Sequence, residues 1–263
     1  MSLYKDEKLL YMKQKWKSEN CLVFKDLYHI YKDRQVETIA LDGFSLEVKE
    51  GEFIAIMGPS GSGKTTFIKL LVGLILPSIG SIFFRSKDGS IIDLTNVEYD
   101  QLIDFRLKKI GYIQQKVGLF NNLNAYENIL LPKLLILDKT GVGNDEKSIN
   151  KLHEDADELL QYIGINERKY HYPSQMSGGE QQRVAIAAAL LKKPELIIAD
   201  EPTGELDAEN THRIFKLFKK ISKEKGITVI CVTHNVIVKQ YADRIENIVD
   251  GKIFDSENSR GTA

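Results

Sequence analysis

The sequence has little of several residue types that would mark a specialised class of protein. Its 263 residues include two cysteines, one tryptophan and six prolines, and its 36 basic residues nearly balance 37 acidic ones. The two cysteines, Cys21 and Cys231, are far apart and match no metal-binding spacing, so we expect reduced structural thiols. The near-zero net charge gives no global sign of nucleic-acid binding, and we expect no nucleic-acid partner.

Long apolar segments are also missing. No run reaches about 18 apolar residues, the length that indicates a membrane-spanning helix. The longest apolar stretch, residues 129–137, is interrupted by Pro132 and Lys133. Residues 1–20 are rich in lysine and lack the apolar core of a secretory signal. We therefore expect a cytoplasmic protein with an N-terminal extension, most simply a solvated helix.

The chain contains an alternation of strand and helix patterns. Apolar and polar residues alternate at 21–31 and 44–48, which predicts half-buried strands, whereas the continuous apolar run at 53–57 predicts a strand covered on both faces. Further strands are predicted at 81–84, 110–113, 196–199 and 227–232, helices at 67–76, 100–108, 181–193, 209–225 and 236–241, and a hairpin around Asp250-Gly251. The alternation predicts an α/β fold with a parallel sheet.

One stretch has the spelling of a phosphate-binding loop (P-loop), G-x-x-x-x-G-K-[ST], between the apolar run at 53–57 and a helical pattern. Glycines let the backbone fold so that successive N–H groups converge on a phosphate chain, and the positive end of the helix dipole points at the same place. We expect Lys64 to reach the β and γ phosphates of a nucleotide and the Thr65 hydroxyl to bind Mg²⁺. The expected nucleotide-binding residues are Gly58, Pro59, Ser60, Gly61, Ser62, Gly63, Lys64, Thr65 and Thr66.

The patterns divide the chain into segments. Residues 117–184 show helical periodicity at 125–137 and 150–163 and almost no strand signal. We predict an α/β P-loop NTPase core with a mainly parallel sheet, an antiparallel β subdomain near the N-terminus and an inserted α-helical subdomain. The predicted boundaries are 1–20 for the extension, 21–116 for the first part of the core, 117–184 for the helical insertion and 185–263 for the second part of the core.

Two further motifs carry chemistry. Asp200 and Glu201 directly follow the apolar run at 196–199. Such a pair is often only a turn, but beside a P-loop it predicts Asp200 as a magnesium ligand and Glu201 as the general base for an attacking water. Ser177-Gly178-Gly179-Glu180 precedes a helical pattern and offers a second anion site at a helix start. The alternative for this segment is an ordinary helix N-cap with a flexible lead-in.

The P-loop, the acidic pair and the segment Met176-Ser177-Gly178-Gly179-Glu180-Gln181-Gln182-Arg183, in this order, closely resemble the ATP-binding cassette (ABC) ATPases over about residues 21–252. In that family two cassettes dimerise head to tail, and each ATP lies between the P-loop of one copy and the signature segment of the other. The resemblance implies an ATPase that uses ATP and Mg²⁺, with a second copy of itself as partner. It also implies that Ser177, Gly178, Gly179 and Glu180 bind the ATP of that second copy.

The resemblance also assigns roles to single residues. Tyr31 resembles the aromatic residue that stacks on adenine, with Tyr28 as a weaker alternative. Gln115 resembles the glutamine that contacts Mg²⁺ and water, and is favoured over the adjacent Gln114 by its spacing from Tyr112.

Two residues complete the implied site. Asp207 resembles the aspartate of the D-loop at the dimer interface, and His234 resembles the switch histidine that contacts the γ-phosphate. The implied catalytic residues are Glu201, His234, Lys64 and Gln115, and the implied metal ligands are Thr65, Gln115 and Asp200.

The spellings His171-Tyr172-Pro173-Ser174-Gln175 and Glu201-Pro202-Thr203-Gly204 resemble one branch of the family, which includes lipoprotein-releasing and macrolide-export transporters and a cell-division member. This implies an ATPase subunit at the inner face of the cell membrane that drives a separate transmembrane permease, of export type. The alternative is an ATPase that transmits force to a membrane partner without substrate transport. Ala188 stands where the branch usually carries Arg, and Glu205 stands where Asn is common, both near the expected dimer interface.

Overall fold

Two β-sheets organise the chain in the computed structural model, which describes residues 16–33, 36–140 and 145–254. The first sheet is antiparallel and has the order β2-β1-β4-β5. Its strands are β1 (Asn20–Asp33), β2 (Val36–Lys49), β4 (Ile79–Arg85) and β5 (Ile91–Asp93).

The second sheet has the order β10-β9-β3-β8-β7-β6, and every pairing in it is parallel except the one between its edge strand β10 and β9. Its strands are β3 (Phe53–Met57), β6 (Ile110–Ile113), β7 (Leu196–Asp200), β8 (Thr228–Val232), β9 (Arg244–Val249) and β10 (Lys252–Phe254). The helices are α1 (Lys64–Leu71), α2 (Tyr99–Lys109), α3 (Ala125–Thr140), α4 (Glu146–Tyr162), α5 (Gly178–Leu191) and α6 (Ala208–Lys225). The predicted fold class is therefore confirmed; the predicted domain boundaries stay predictions.

Strand β3 is the centre of the parallel sheet and is buried along its whole length. It pairs with β8 on one side and β9 on the other. A strand covered on both faces needs apolar residues at every position, which is why its continuous run was recognisable in the sequence. The parallel strands end at one edge of the sheet, and the P-loop follows β3 at that edge.

Helices cover both faces of the sheet. On one side, the ring of Phe67 in α1 lies 5.0 Å from that of Phe24 and 5.1 Å from that of Phe44, measured between centroids, so α1 is held between the two sheets. On the other side, Phe218 of α6 packs against Phe53 of β3 at 6.1 Å. Aromatic rings bury large apolar areas, and these contacts fix the helices relative to the site.

Two predictions about elements were incomplete. The helix predicted at 67–76 ends at Leu71, because Gly73 adopts φ 66° and Leu74 N–H donates back to the carbonyl of Lys69, a turn that terminates the helix. Strand β9 was predicted only as one arm of the hairpin at Asp250-Gly251, not as a parallel neighbour of β3.

Strand β9 contains charged residues, so it lacks the apolar run that predicts a buried strand. Glu246 in this strand and Glu52 before β3 are buried, and Arg244 bonds both carboxylates, with Nε 2.8 Å from Glu52 Oε1 and Nη1 3.0 Å from Glu246 Oε1. Buried charges are tolerated when they are paired, so this strand enters the sheet without an apolar run.

The helix considered for residues 1–20 falls largely outside the described residues. Where the description begins, Trp16 packs against Val23 and Phe83, and its indole N–H donates to the carbonyl of Asn20 at 2.7 Å. Within the described part of the chain, no helix is both long and apolar enough to cross a membrane.

Candidate active site

The P-loop lies against two neighbouring strands. A Cβ atom on Gly58 would stand 2.2 Å from the carbonyl oxygen of Ile248 in β9, and one on Gly63 would stand 2.4 Å from that of Ala40 in β2. Gly63 also adopts φ 106°, which side chains rarely allow. Both positions therefore require glycine, and the loop's path follows from the strands that it touches.

The start of α1 is chemically suited to an anion. Gly63 is its N-cap and supplies no side-chain hydrogen bond, so the first N–H groups of the helix lack a side-chain cap. Ser62 Oγ is buried and has no hydrogen-bond partner among the described residues. Lys64 Nζ donates to the carbonyls of Gly58 and Pro59 at 2.8 and 2.7 Å, so its ammonium lies over the loop. A phosphate chain would satisfy these donors.

Tyr31, and not Tyr28, reaches the P-loop helix. The hydroxyl of Tyr31 lies 3.4 Å from Thr66 Oγ1, and the residue is 40% exposed. The hydroxyl of Tyr28 instead lies near Gly43 in β2, 3.1 Å from the position of a Cβ added there. The structure thus brings the preferred aromatic residue to the nucleotide loop with part of its ring open to solvent.

Asp200 ends β7 two strands away from the P-loop strand. Burial, together with the neighbouring Glu201 charge, raises the pKa of the Asp200 carboxyl, while Tyr112 and the Lys64 ammonium act against this. The Tyr112 hydroxyl donates to Asp200 Oδ2 at 3.4 Å, and burial and the carboxylate raise the pKa of Tyr112 to about 12. The half-buried Asp200 carboxylate lies at the same edge of the sheet as the P-loop, and the Lys64 charge favours its ionised form.

Glu201 is held by residues at the end of β8. Its Oε1 lies 2.9 Å from His234 Nδ1, and its Oε2 accepts from Thr233 Oγ1 at 3.0 Å and from His234 N–H at 3.3 Å. A carboxylate only accepts hydrogen bonds, so His234 Nδ1 carries a hydrogen and Nε2 is directed elsewhere. Glu201 also has φ 46°, a conformation that costs a non-glycine residue energy and recurs at functional sites.

The two candidate glutamines have different surroundings. Gln115 Nε2 lies 3.1 Å from the position of a Cβ on Gly204, in the turn that follows Glu201. Gln114 instead lines a cavity of about 270 Å³ between the segment after β6, α3 and α5. The structure therefore brings Gln115, and not Gln114, toward the turn that follows the acidic pair, and the role of Gln115 stays a prediction.

The segment Ser177-Gly178-Gly179-Glu180 is a helix N-cap, the alternative raised for it. Ser177 caps α5 in a capping box: its N–H and hydroxyl donate to Glu180 Oε2 at 2.8 and 3.0 Å, and its Oγ accepts from Glu180 N–H. Burial opposes ionisation of Glu180, but these bonds and Arg168 hold its pKa below the usual value. Capping leaves the anion-binding role possible, because the helix start and the Ser177 residue are exposed.

The D-loop aspartate packs next to that segment within the same chain. Asp207 caps α6 by accepting from Asn210 N–H at 2.8 Å, and Asn210 Nδ2 donates to its other oxygen at 2.7 Å. These bonds lower the pKa of Asp207. Asn210 in turn fills the space beside Gly179, where a Cβ would meet its Oδ1 at 2.4 Å. The signature segment and the D-loop are thus one packed unit.

Sequence reasoning missed Thr233, Tyr112 as a partner of Asp200, and Asn210. Their available signals were a threonine directly before the histidine, a hydroxyl on the aromatic residue three positions before Gln115, and an asparagine in the first turn of a helix. None of these signals shows which distant residue each side chain contacts.

Comparison with known proteins supports the same interpretation of the fold and identifies the family. The family model described as ABC transporter matches residues 41–204. The chain is 42% identical over 228 residues to the lipoprotein-releasing system ATP-binding protein of Hyphomonas neptunium, covering 85% of this chain and 94% of that protein. It is 38% identical over 239 residues to a macrolide export ATP-binding/permease protein of Rhodopirellula baltica, covering 90% of this chain but only 33% of that longer protein.

A solved structure extends the comparison. The chain superimposes with a TM-score of 0.74 and 36% identity on an ATP-binding cassette in a dimeric post-hydrolysis state bound to ADP and Pi, covering 89% of this chain and 97% of that one. Fold and site define a P-loop ATPase. The chain belongs to the ABC transporter family, as an ATP-binding subunit of the type found in lipoprotein-releasing and macrolide-export proteins.

The close packing of Asn210 against Gly179 predicts that a side chain at position 179 lowers the stability of the protein. Gly179→Ala should lower the free energy of unfolding by about 1–3 kcal/mol, because the added methyl group must displace a side chain that is bonded to Asp207. Urea unfolding followed by circular dichroism measures this. Gly118→Ala, where the added Cβ meets nothing within 4 Å, is the matched control. Adding Asn210→Ala should recover part of the loss; no loss in the single variant would contradict the packing argument.

Proposed function

We propose that two copies of this ATPase bind two ATP-Mg²⁺ head to tail and drive export through a separate transmembrane permease at the inner face of the cell membrane. The observation that carries this proposal is the convergence of four side chains at the ends of adjacent strands. Lys64 follows β3, His234 follows β8, and Asp200 and Glu201 lie at the end of β7. Carboxyl ends of parallel strands are where such sheets bind ligands.

Phosphate binding depends on α1 and the P-loop. The uncapped N–H groups at the start of α1 and the Lys64 ammonium over the loop provide the donors for the β and γ phosphates. Release of Lys64 from the carbonyls of Gly58 and Pro59 exchanges two neutral acceptors for charged ones, which form stronger bonds. The Tyr31 ring offers the adenine a face on which to stack.

The donor set also fits Mg²⁺. Thr65, Asp200 and Gln115 would hold it through hydroxyl, carboxylate and amide oxygens, the hard ligands that this ion prefers. The burial that raises the pKa of Asp200 is also what makes a neighbouring cation favourable at that position. When bound, the ion neutralises negative charge on the phosphate oxygens.

Water activation falls to Glu201. Its carboxylate takes the proton from the water that attacks the γ-phosphorus, the general-base role, while the bond from that phosphorus to the bridging oxygen breaks and ADP leaves. His234 Nδ1 donates to one carboxylate oxygen at 2.9 Å, and Nε2 donates to a phosphate oxygen when both ring nitrogens carry a hydrogen. Lys64 and His234 then stabilise the charge that develops on the transferred phosphoryl group.

The second copy completes the site. Ser177, Gly178 and Asp207 are exposed on this chain, and Leu206 lies beside Gly178, 3.2 Å from the position of a Cβ added there. We assign Ser177, Gly178, Gly179 and Glu180 to the ATP of the partner copy. The dimeric cassette bound to ADP and Pi to which this chain is similar supports that arrangement. In this arrangement one chain carries two half-sites.

A surface on the helical segments suits a membrane partner. The cavity beside Gln114 has small residues of α5 as its floor, including Ala188, and α3 as its wall. Leu135 stands one helical turn beyond the lining residue Leu131 and is 60% exposed. Phe120, which lines the same cavity, is also exposed, and adjoining exposed apolar side chains are suited to contact with another protein. The names of the macrolide-export and lipoprotein-releasing relatives support export as the direction.

Glu201→Gln tests the general base. Glutamine keeps the shape of the side chain but cannot accept the proton, so hydrolysis should fall by orders of magnitude, about 10²-fold or more, while ATP binding persists. Size-exclusion chromatography with ATP should then show a long-lived dimer. Near wild-type turnover by this variant would contradict the assignment of Glu201.

Complementation tests whether the site is shared between copies. Lys64→Ala and Ser177→Arg should each abolish hydrolysis alone. Mixed together they should recover part of it, because a mixed dimer joins an intact P-loop of one chain to an intact Ser177 of the other. The control replaces one component by the Lys64→Ala/Ser177→Arg double variant, which leaves no complete site. Absence of recovery in the mixture, with mixed dimers demonstrated, would exclude the head-to-tail arrangement.

A charge placed on the exposed apolar surface beside the cavity tests whether this surface contacts the permease. Leu135→Glu should reduce co-purification of the permease from detergent-solubilised membranes and leave the ATPase rate of the isolated chain unchanged. Phe254→Glu makes the same apolar-to-acidic change at another exposed position, 53% accessible in the edge strand β10. If Leu135→Glu and Phe254→Glu retained the permease equally, the proposal that the surface beside the cavity contacts the permease would be wrong.

A further inference from the structure

Thr233 is wholly buried, at 0% exposure, and its hydroxyl is bonded to the carboxylate of Glu201. This residue lies between the end of β8 and His234, and the chemistry proposed above does not use it. A polar side chain is costly to bury unless its bonds are satisfied, so its position in the core of the site calls for a reason.

The backbone around Thr233 joins the strands that carry the site. Thr233 N–H donates to the carbonyl of Ile56 in β3 at 3.1 Å, two residues before the P-loop begins. Glu201 N–H donates to the carbonyl of Val232, the residue before Thr233, at 2.8 Å. The location of the Thr233 side chain is therefore set by the same strands that locate Lys64 and Glu201.

The Thr233 hydroxyl makes two hydrogen bonds, one as acceptor and one as donor. Its oxygen accepts from Asn235 N–H at 3.1 Å, and its single hydrogen points to Glu201 Oε2 at 3.0 Å. The backbone N–H of His234 donates to the same oxygen at 3.3 Å. One side-chain hydroxyl and one backbone N–H, from consecutive residues, therefore hold Oε2 on the side of the buried Thr233.

The other carboxylate oxygen has a different environment. Within the described residues Oε1 is hydrogen-bonded to the imidazole of His234, whose side chain is 72% exposed. With Oε2 anchored, Oε1 is the oxygen on the open side of the site. A free glutamate side chain would sample several rotamers, whereas this one is held in a single orientation.

We infer that Thr233 is a positioning residue: its hydroxyl anchors Oε2 of Glu201 so that Oε1 faces the attacking water. The inference rests on the proposed role of Glu201 as general base. The proton from water moves to Oε1 of Glu201, and the Thr233 proton stays on its own oxygen throughout. Thr233 contacts neither nucleotide nor water in this scheme and acts through Glu201 alone.

Thr233→Val tests this, because valine matches threonine in shape and lacks the hydroxyl. We expect kcat to fall about tenfold, the effect of losing one hydrogen bond to a charged group, with the KM for ATP and the ATP affinity unchanged. Thr233→Ser restores the hydroxyl and should restore most of kcat. The ATP-induced dimer should persist longer in Thr233→Val, because its hydrolysis is slower.

Thr228→Val is the matched control. Thr228 is equally buried, begins the same strand at its opposite end, and uses its hydroxyl to accept from Gly51 N–H at 3.0 Å. Its loss should lower stability in urea unfolding and leave kcat unchanged. Thr233→Ala serves as a second hydroxyl-free variant if the valine variant does not fold.

A double variant separates this inference from the general-base proposal. In the Glu201→Gln background, Thr233→Val should cause no further loss of hydrolysis, because the group that it positions is already disabled. A wild-type kcat in Thr233→Val, a fall shared equally by Thr233→Ser, or a full additional loss in the Glu201→Gln background would each overturn the inference. A Glu201→Gln enzyme with wild-type turnover would instead contradict the general base, whatever Thr233→Val does.

Discussion

The hydrogen bonds that join β3, β7 and β8 at their carboxyl ends are the constraint on which the site depends. The pairings place Ile56 of β3 opposite Val232 of β8, and Val232 opposite Asp200 of β7. Beyond these pairs, Thr233 N–H reaches Ile56 and Glu201 N–H reaches Val232. The residues that directly follow β7 and β8 are therefore each hydrogen-bonded to a neighbouring strand, and the buried aliphatic residues of the strands keep those ends from shifting.

Most of the fold could be predicted because its strands carry strong local signals. The run at 53–57 is wholly apolar since helices cover both its faces, and the strand at 110–113 was placed with the bounds it has. Strand β9 had no such signal, because Arg244 and Glu246 become acceptable in a sheet only once Glu52 from a distant segment pairs with the arginine. The end of α1 depended on the left-handed conformation of Gly73, which a helical pattern does not reveal.

The residues of the candidate site also differ in how far the sequence alone could predict them. Lys64 and Asp200 each lie inside a short contiguous motif. Such residues could be predicted because the neighbouring residues of the motif identify them. The sequence does not show where the Tyr31 and Tyr28 side chains lie, because their positions depend on packing: one hydroxyl reaches Thr66 and the other reaches β2. Thr233 was invisible for a similar reason: its partner, Glu201, is 32 residues away in sequence. The roles of all these residues stay predictions.

The half-exposed ring of Tyr31 has a consequence for the selection of the nucleotide base. An aromatic face offers a nucleobase a stacking surface but no donor or acceptor for the base's edge, and stacking of this kind is tolerant of base identity. The specific, charge-assisted contacts are instead gathered at the P-loop and α1. Such an enzyme would read the number of phosphates far more strictly than the base that carries them.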